Sequence, residues 1–371
     1  MKLRDYQEEA VQWAVTKKRS MIVAPAGSGK TVIGAHVLSR IAKPGQKITW
    51  LAATREQVEQ AAAAIAHTEG PECDLNICCA AANPDTSDSD IVVLDECHHV
   101  PCESYLQTVS HDNGQTILGL TATPWHSDEE RNIVVRAVFQ EFFTIERERL
   151  IAHGHLVPGK VYMYDIDVPG IFDADINAKT KIETDLRCRR FWSIPRFEHE
   201  RRAKWMITSE AVQANAARNQ KAIELAIDTP DSTLVLVSSI EHGTELAASI
   251  PGAIVVHSKM GAKKRGAALT AFRSGELRVM VATSLMDEGA DVPRASRLVL
   301  VAGGRSAGKL EQRAGRILRP FAGKESGIIL DFLDRGAQFA HAQAKARMKV
   351  YERLGYDPEI VRCIASERAA A

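Results

Sequence analysis

The sequence predicts an α/β chain built on two tandem parallel sheets, each flanked by helices. Three observations lead there. Residues 1 to about 150 alternate apolar, strand-like runs (MIVA at 21–24, ITWLAA at 48–53, IVVLD at 91–95, ILGLTAT at 117–123) with helix-patterned segments, the alternation that a parallel sheet wrapped by crossover helices requires. Residues 215 to 335 repeat the plan with LVLVSS at 234–239, AIVVHS at 253–258, VMVATS at 279–284, RLVLVAG at 297–303 and GIILDF at 327–332, and no sequence repeat links the halves. A Gly-rich turn follows the first run, and in sheets of this kind ligands sit beyond the carboxyl ends of the strands.

The first strand opens that turn. Residues 20–31 read SMIVAPAGSGKT and lead into VIGAHVLSRI, an apolar-periodic helix, giving strand, loop and helix in order. Gly27 and Gly29 let backbone N–H groups curl around an anion, and the helix N-terminus adds its partial positive charge. Ala26, Gly27, Ser28, Gly29, Lys30 and Thr31 thus form a phosphate cradle, with Lys30 reaching the β- and γ-phosphates of ATP and the Thr31 hydroxyl ligating Mg2+. The first glycine of the usual pattern is Ala24 here.

The strand at 91–95 is wholly apolar until it ends in acids, as IVVLDECHH. Asp95 is placed to hold magnesium through water, and Glu96 to orient or deprotonate the attacking water. Near the far end, QRAGRILRP at 312–320 sets three arginines within seven positions. A solvated basic helix would scatter lysines among glutamates, whereas this pattern asks for planar, multi-donor side chains facing an anion.

Bulk composition bounds these readings. The chain has 371 residues, 45 % of them hydrophobic and 25 % charged, enough for two or three domains. Lysine plus arginine equals aspartate plus glutamate at 47 each, so net charge gives no argument for a nucleic-acid partner and any such interface must be a local patch. Seven cysteines without repeated spacing do not make a disulfide framework. Cys97, His98, His99 and Cys102 are metal-capable, but CHHVPC matches no regular zinc spacing. The opening MKLRDYQ has no apolar stretch of signal length, and no later run approaches the roughly 18 apolar residues of a membrane span. The expectation is a cytoplasmic protein, of nucleoid or host-cell type, neither secreted nor held in a membrane.

With LRDYQ at 3–7, APAGSGKT at 24–31, DECH at 95–98, TATP at 121–124, VATSLMDEGADVP at 281–293 and QRAGRILRP at 312–320, the chain resembles the superfamily 2 helicases and translocases over roughly residues 1–335. The acid motif is DECH, not DEAD, and LIAHGHLVP at 150–158 looks like the group of XPB-type, RadD-type and UvsW-type DNA helicases and restriction-enzyme motors. One departure is His126, where that group often has arginine.

The resemblance implies two tandem RecA-like domains with an ATP cleft between them. It implies Gln7 as reader of the adenine, with Arg4 assisting, and Gly289 and Asp291 near the ribose. It makes Arg316 and Arg319 arginine fingers for the γ-phosphate and puts Gln312 on that phosphate or the water. Thr54 and Arg55 would contact nucleic-acid phosphates from the first domain and Ser238, His257 and Thr283 from the second, while His98, Thr121 and Thr123 couple the two sites. Arg313 falls outside the pair of fingers and reads as a structural ion-pair partner.

The expected division is a first domain at 1–150, a linker or insert at 151–214, a second domain at 215–335 and a C-terminal helix at 336–371. The insert's KIETDLRCRRFWSIPRFEHERRAKW mixes basic side chains with aromatics. Phe191, Trp192 or Trp205 could stack on bases or wedge a duplex, or be buried in an amphipathic linker helix. The reading is a monomeric, nucleic-acid-stimulated ATPase acting as a DNA helicase or remodelling translocase of branched or duplex DNA, with weak sequence preference. The alternatives are an ATP-gated binding or annealing protein that separates no strands, the motor subunit of a restriction complex, and an RNA helicase.

Overall fold

A computed structural model describes residues 2–109, 114–126, 128–167, 173–191, 194–283, 292–304 and 307–363. The chain divides into two compact units, Met1–Leu156 and Val157–Ala371. The first contains α1 (Asp5–Ala14), β1 (Arg19–Val23), α2 (Lys30–Ile41), β2 (Lys47–Ala52), α3 (Arg55–Ala66), β3 (Asp74–Cys79), β4 (Ile91–Asp95), α4 (Glu103–Leu106), β5 (Thr116–Thr121), α5 (Glu129–Val138), β6 (Glu141–Thr144) and α6 (Arg147–Ala152). The second contains β7 (Gly159–Asp167), α7 (Asp173–Arg190), α8 (Arg196–Gln213), α9 (Ala216–Ile227), β8 (Thr233–Leu236), α10 (Ile240–Ala248), β9 (Ile254–Val256), α11 (Ala262–Ser274), β10 (Val279–Ala282), β11 (Arg297–Leu300), α12 (Ala307–Ile317), β12 (Gly327–Arg335), α13 (Gln338–Arg353) and β13 (Pro358–Arg362).

In the first unit the strands pair in the order β3-β2-β4-β5-β1-β6, all parallel. Every residue of β4 is buried, as a wholly apolar strand covered on both faces should be. Met21, Ile22, Trp50, Leu51, Leu94 and Ile117 are fully enclosed at its centre. The order places β5 between β4 and β1, so the three strands that lead into DECH, TATP and the Gly-rich turn are neighbours. The register matches Val23 with Thr121 and Asp95 with Leu120.

Among the described residues, the second unit holds seven parallel strands in the order β13-β7-β12-β11-β8-β10-β9. Here the structure differs from a linker followed by a terminal helix. Residues 159–167 form β7, paired on one side with β12 and on the other with β13. Both partners lie far downstream in the chain, which is why no local pattern ties this strand to the second sheet. The helices α7 and α8 pack against each other, and α8 packs on α13. Ile176, Ile207 and Val212 from the pair join the core of the second unit. The aromatics between them do not: Phe191, Phe197 and Trp205 are exposed, and Trp192 lies outside the described residues. Among the described residues, no helix is long and apolar enough to cross a membrane.

Two buried ion pairs anchor helices to β12. Arg218 of α9 donates to Asp334 at 2.6 Å and to the Val301 carbonyl at 3.1 Å, with its guanidinium 4.5 Å from the Phe332 ring centre. Arg347 of α13 makes a two-pronged bond to Asp331, at 2.8 Å on each prong. Removing one member strands the other charge in the core. Asp334→Ala is expected to destabilise the second unit by about 3–5 kcal/mol, read as a lower urea midpoint; an unchanged midpoint would show that the pair is not what holds α9 down.

Candidate nucleotide and nucleic-acid sites

The turn after β1 has the backbone that an anion cradle needs. Gly27 and Gly29 have φ of +88° and +83°, in the left-handed region that side-chain-bearing residues avoid. At Gly29 a Cβ would also lie 2.6 Å from Gln7 Nε2, so glycine is required twice over. Gly29 caps α2, whose first turn carries no acidic residue, leaving the positive end of the helix for an external anion. Ser28 is 1 % exposed and its Oγ has no hydrogen-bond partner among the described residues. A buried hydroxyl without a partner in a Gly-rich helix entry suits a phosphate oxygen. Lys30 Nζ donates to the Ala24 carbonyl at 3.2 Å, and Thr31 follows it in the first turn of α2.

The α1 helix is tied to this loop. Tyr6 Oη and Gln7 Nε2 both donate to the Ser28 carbonyl, at 2.7 and 3.0 Å, while Gln7 Oε1 accepts from the Arg4 N–H at 3.0 Å. Gln7 is thus engaged at both ends of its amide, and Tyr6 contributes a second bond to the Gly-rich turn. Arg4 Nη1 lies 3.4 Å from Tyr6 Oη.

The acids at the end of β4 are buried, Asp95 at 4 % and Glu96 at 9 % exposure. Glu96 has φ +52°, a strained conformation for a glutamate, and Asp95 Oδ1 accepts from the Glu96 N–H at 3.0 Å. Burial, followed by the neighbouring Glu96 charge, pushes the Asp95 carboxyl well above its ordinary range. Burial would also raise Glu96, but the His98 hydrogen bond and the Lys30 charge outweigh it and hold that carboxyl low. Two adjacent buried carboxyls are oxygen donors of the kind a divalent cation takes, and a cation there would favour the ionised form that burial and the neighbouring charge disfavour at Asp95.

A side-chain path joins the acids to β5. His98 Nδ1 lies 3.4 Å from Glu96 Oε2 and 3.0 Å from Thr121 Oγ1, and Thr121 Oγ1 accepts from the Thr123 N–H at 3.2 Å. His126 adds a residue that sequence reasoning left without a role: its Nε2 lies 2.7 Å from the His98 carbonyl, and its N–H donates to Asn132 Oδ1 at 2.7 Å. Cys97 turns the other way into the core, its Sγ 3.2 Å from Met21 Sδ. Among the described residues, no group of three or more His, Cys, Asp or Glu side chains is arranged to hold a metal.

The residues expected to touch nucleic acid sit at strand ends. Thr54 caps α3, its Oγ1 accepting from the Gln57 N–H at 3.3 Å, and Arg55 beside it is exposed. In the second unit, Ser238, His257 and Thr283 follow β8, β9 and β10. These strands are neighbours in the order β8-β10-β9, so three residues far apart in sequence come to one rim. Ser238 is exposed, His257 half-buried and Thr283 buried. Gln312 and Arg316 lie one turn apart on α12, on the side opposite buried Leu310, Ala314 and Ile317, and Arg319 follows the helix end. Gly289 and Asp291 lie outside the described residues.

Two family models match the chain. Residues 217–320 match the helicase conserved C-terminal domain, and residues 1–80 and 80–126 match the Type III restriction enzyme, res subunit. The chain belongs to the superfamily 2 helicases. Among curated relatives, it is 26 % identical over 368 residues to the DNA 3'-5' translocase XPB2 of Sulfurisphaera tokodaii, covering 91 % of this chain and 82 % of that one. It is 28 % identical over 253 residues to a protein of Sulfolobus islandicus filamentous virus bearing a provisional helicase name, covering 67 % of this chain and 43 % of the other. The chain spans about half the length of several of the curated relatives it matches. Its fold is similar to that of a DNA-bound ATP-dependent Type ISP restriction-modification enzyme, LlaBIII, with a TM-score of 0.69 at 13 % identity over 99 % of this chain and 32 % of the other. The two helix-flanked parallel sheets are the tandem RecA-like domains that the sequence motifs predict.

Proposed function

We propose that this chain is an ATP-dependent DNA helicase or translocase with weak sequence preference. The observation that carries the reading is that the neighbouring strands β1, β4 and β5 end in the Gly-rich turn with Lys30, in the buried Asp95–Glu96 pair, and in Thr121, which His98 links to Glu96. Lys30 and the cradle N–H groups hold the β- and γ-phosphates, and Thr31 and Asp95 would hold Mg2+, which when bound supplies charge neutralisation at the phosphates. Glu96 orients the attacking water and accepts its proton. Gln312, Arg316 and Arg319 address the γ-phosphate, Arg316 and Arg319 neutralising the charge it develops. Gln7 and Arg4 take the adenine side, and Gly289 and Asp291 the ribose.

The grip on nucleic acid is assigned to Thr54, Arg55, Ser238, His257 and Thr283. Hydroxyls and N–H groups hold phosphate oxygens without reading bases, so affinity should fall steeply with salt. The names of the relatives, DNA 3'-5' helicases and translocases, support DNA over RNA. Steady-state ATP hydrolysis with no nucleic acid, then with single-stranded, duplex and forked DNA and with RNA at two salt concentrations, tests the assignment. Greatest stimulation by forked DNA supports a remodelling motor. Stimulation mainly by RNA would replace the substrate, and indifference to all of them would remove the nucleic-acid reading.

Strand separation, as against simple ATP-gated binding, is favoured by the tip of the α7–α8 pair. Phe191 and Phe197 are 45 % and 65 % exposed there, beside exposed Arg189, Arg190, Arg196, Arg201 and Arg202. Exposed aromatics among arginines suit base stacking at a strand junction. Phe197→Ala is expected to cut unwinding of a forked duplex roughly tenfold, from about 1–3 kcal/mol of lost stacking, while DNA-stimulated ATP turnover stays near normal. Equal unwinding by the variant would return the tip to a structural role.

A further inference from the structure

The loop that leads into α12 is held from behind by α13. Gly304 stands three positions before Ala307, the first residue of α12, with φ +108°. Its N–H donates to Gln343 Oε1 at 3.3 Å, and its carbonyl accepts from Arg347 Nη1 at 2.8 Å. Gln343 and Arg347 lie one turn apart on α13 and so project from one face.

A Cβ built at Gly304 would meet nothing within 4 Å, and one at Gly303 would meet only Gln343 Oε1, at 3.8 Å. A cavity of about 20 Å3, lined by Gly303, Gln343, Arg347, Gln213 and Ser238, lies alongside; it has room for about one water. Among the described residues, Gly304 is thus held through its two main-chain bonds, with open space where a side chain would stand.

The base of the grip is rigid. Arg347 is 4 % exposed and Asp331 0 %. Beyond the two prongs to Asp331, Arg347 Nη2 donates to the Phe332 carbonyl at 3.1 Å, and Tyr351 Oη donates to Asp331 Oδ2 at 3.1 Å. Three bonds of its own, two of them to an Asp331 that Tyr351 braces in turn, thus fix the orientation of Arg347.

We propose that Gln343 and Arg347 are positioning residues for the arginine-bearing helix: by gripping both main-chain polar groups of Gly304, they set the entry of α12 and hence the aim of Gln312, Arg316 and Arg319. The inference rests on the arginine-finger reading given above. It gives the α13 helix a role in ATP turnover through α12, without any contact of its own to the nucleotide.

Gln343 is half-buried and can be changed without disturbing the Arg347–Asp331 pair, so it is the place to test. Gln343→Leu removes the acceptor at nearly constant size, and Gln343→Glu restores one. Hydrogen exchange over residues 303–318 should be faster in Gln343→Leu and near wild type in Gln343→Glu. DNA-stimulated kcat should fall about tenfold in Gln343→Leu, the worth of one aimed hydrogen bond, with KM for ATP unchanged and activity recovered in Gln343→Glu. Combined with Arg316→Ala, Gln343→Leu should add clearly less than its tenfold loss in wild type, since only Gln312 and Arg319 are left to be aimed. Unchanged exchange in Gln343→Leu would overturn the grip itself. A full tenfold loss on top of Arg316→Ala would overturn its action through the fingers. Near-normal turnover by Arg316→Ala alone would sink the finger reading and the catalytic link with it, while faster exchange in Gln343→Leu would still register the grip.

Discussion

Arg316→Ala is expected to lower DNA-stimulated ATP turnover by about 10³ to 10⁵ while nucleotide affinity stays within a few-fold of wild type. A guanidinium acting on the γ-phosphate matters chiefly as charge migrates during transfer, so its loss is felt in the rate and little in ground-state binding. Its place on the helix suits that role, since Gln312 and Arg316 share one side of α12 while Leu310, Ala314 and Ile317 bury the other. Arg316→Lys should recover little, because a point charge cannot reproduce a planar fork. The measurement is kcat alongside the dissociation constant of a fluorescent ATP analogue. Turnover within about threefold of wild type would remove Arg316 from the site; lost analogue binding with unchanged kcat would make it a binding residue instead.

The second large effect is expected at Glu96. Glu96→Gln keeps the shape and can still meet His98, but it removes the carboxylate proposed to take a proton from water. Loss of a general base costs about 10² to 10⁴ in rate, so the variant should bind ATP, hydrolyse it very slowly and stay bound to DNA when ATP is present. Single-turnover hydrolysis and DNA retention in ATP, followed together, check this. Rapid hydrolysis would reassign the proton acceptor. Fast release from DNA in the presence of ATP would break the link between Glu96 and the grip. Because Glu96 is already held at φ +52°, Glu96→Gly offers a control in which backbone strain is relieved and the carboxylate is lost.

The motifs are legible in sequence because each joins an apolar strand to a polar end within about ten residues. IVVLDECHH displays its burial and its acids in one line, and β4 is buried throughout, as that line implies. The Gly-rich turn likewise announces both its conformation and its helix. The path around His98 is only half visible. Thr121 can be named, but His126 cannot, since its partner is a main-chain carbonyl 28 positions upstream and a carbonyl leaves no mark in sequence.

Alternating strands and helices, the Gly-rich turn before a helix, the acid pair and the helical spacing of Gln312 and Arg316 are local properties, and the amino-acid sequence by itself determined them. Tertiary structure alone decided that β7 and β13 belong to the second sheet, that Phe191 and Phe197 face outward, and that Tyr6 and Gln7 hold Ser28. It alone placed Gln343 and Arg347 on Gly304. The physical reason is common to all four: each depends on strand pairing, exposure or hydrogen bonding to main-chain atoms brought together from distant parts of the chain, and main-chain atoms are the same at every residue.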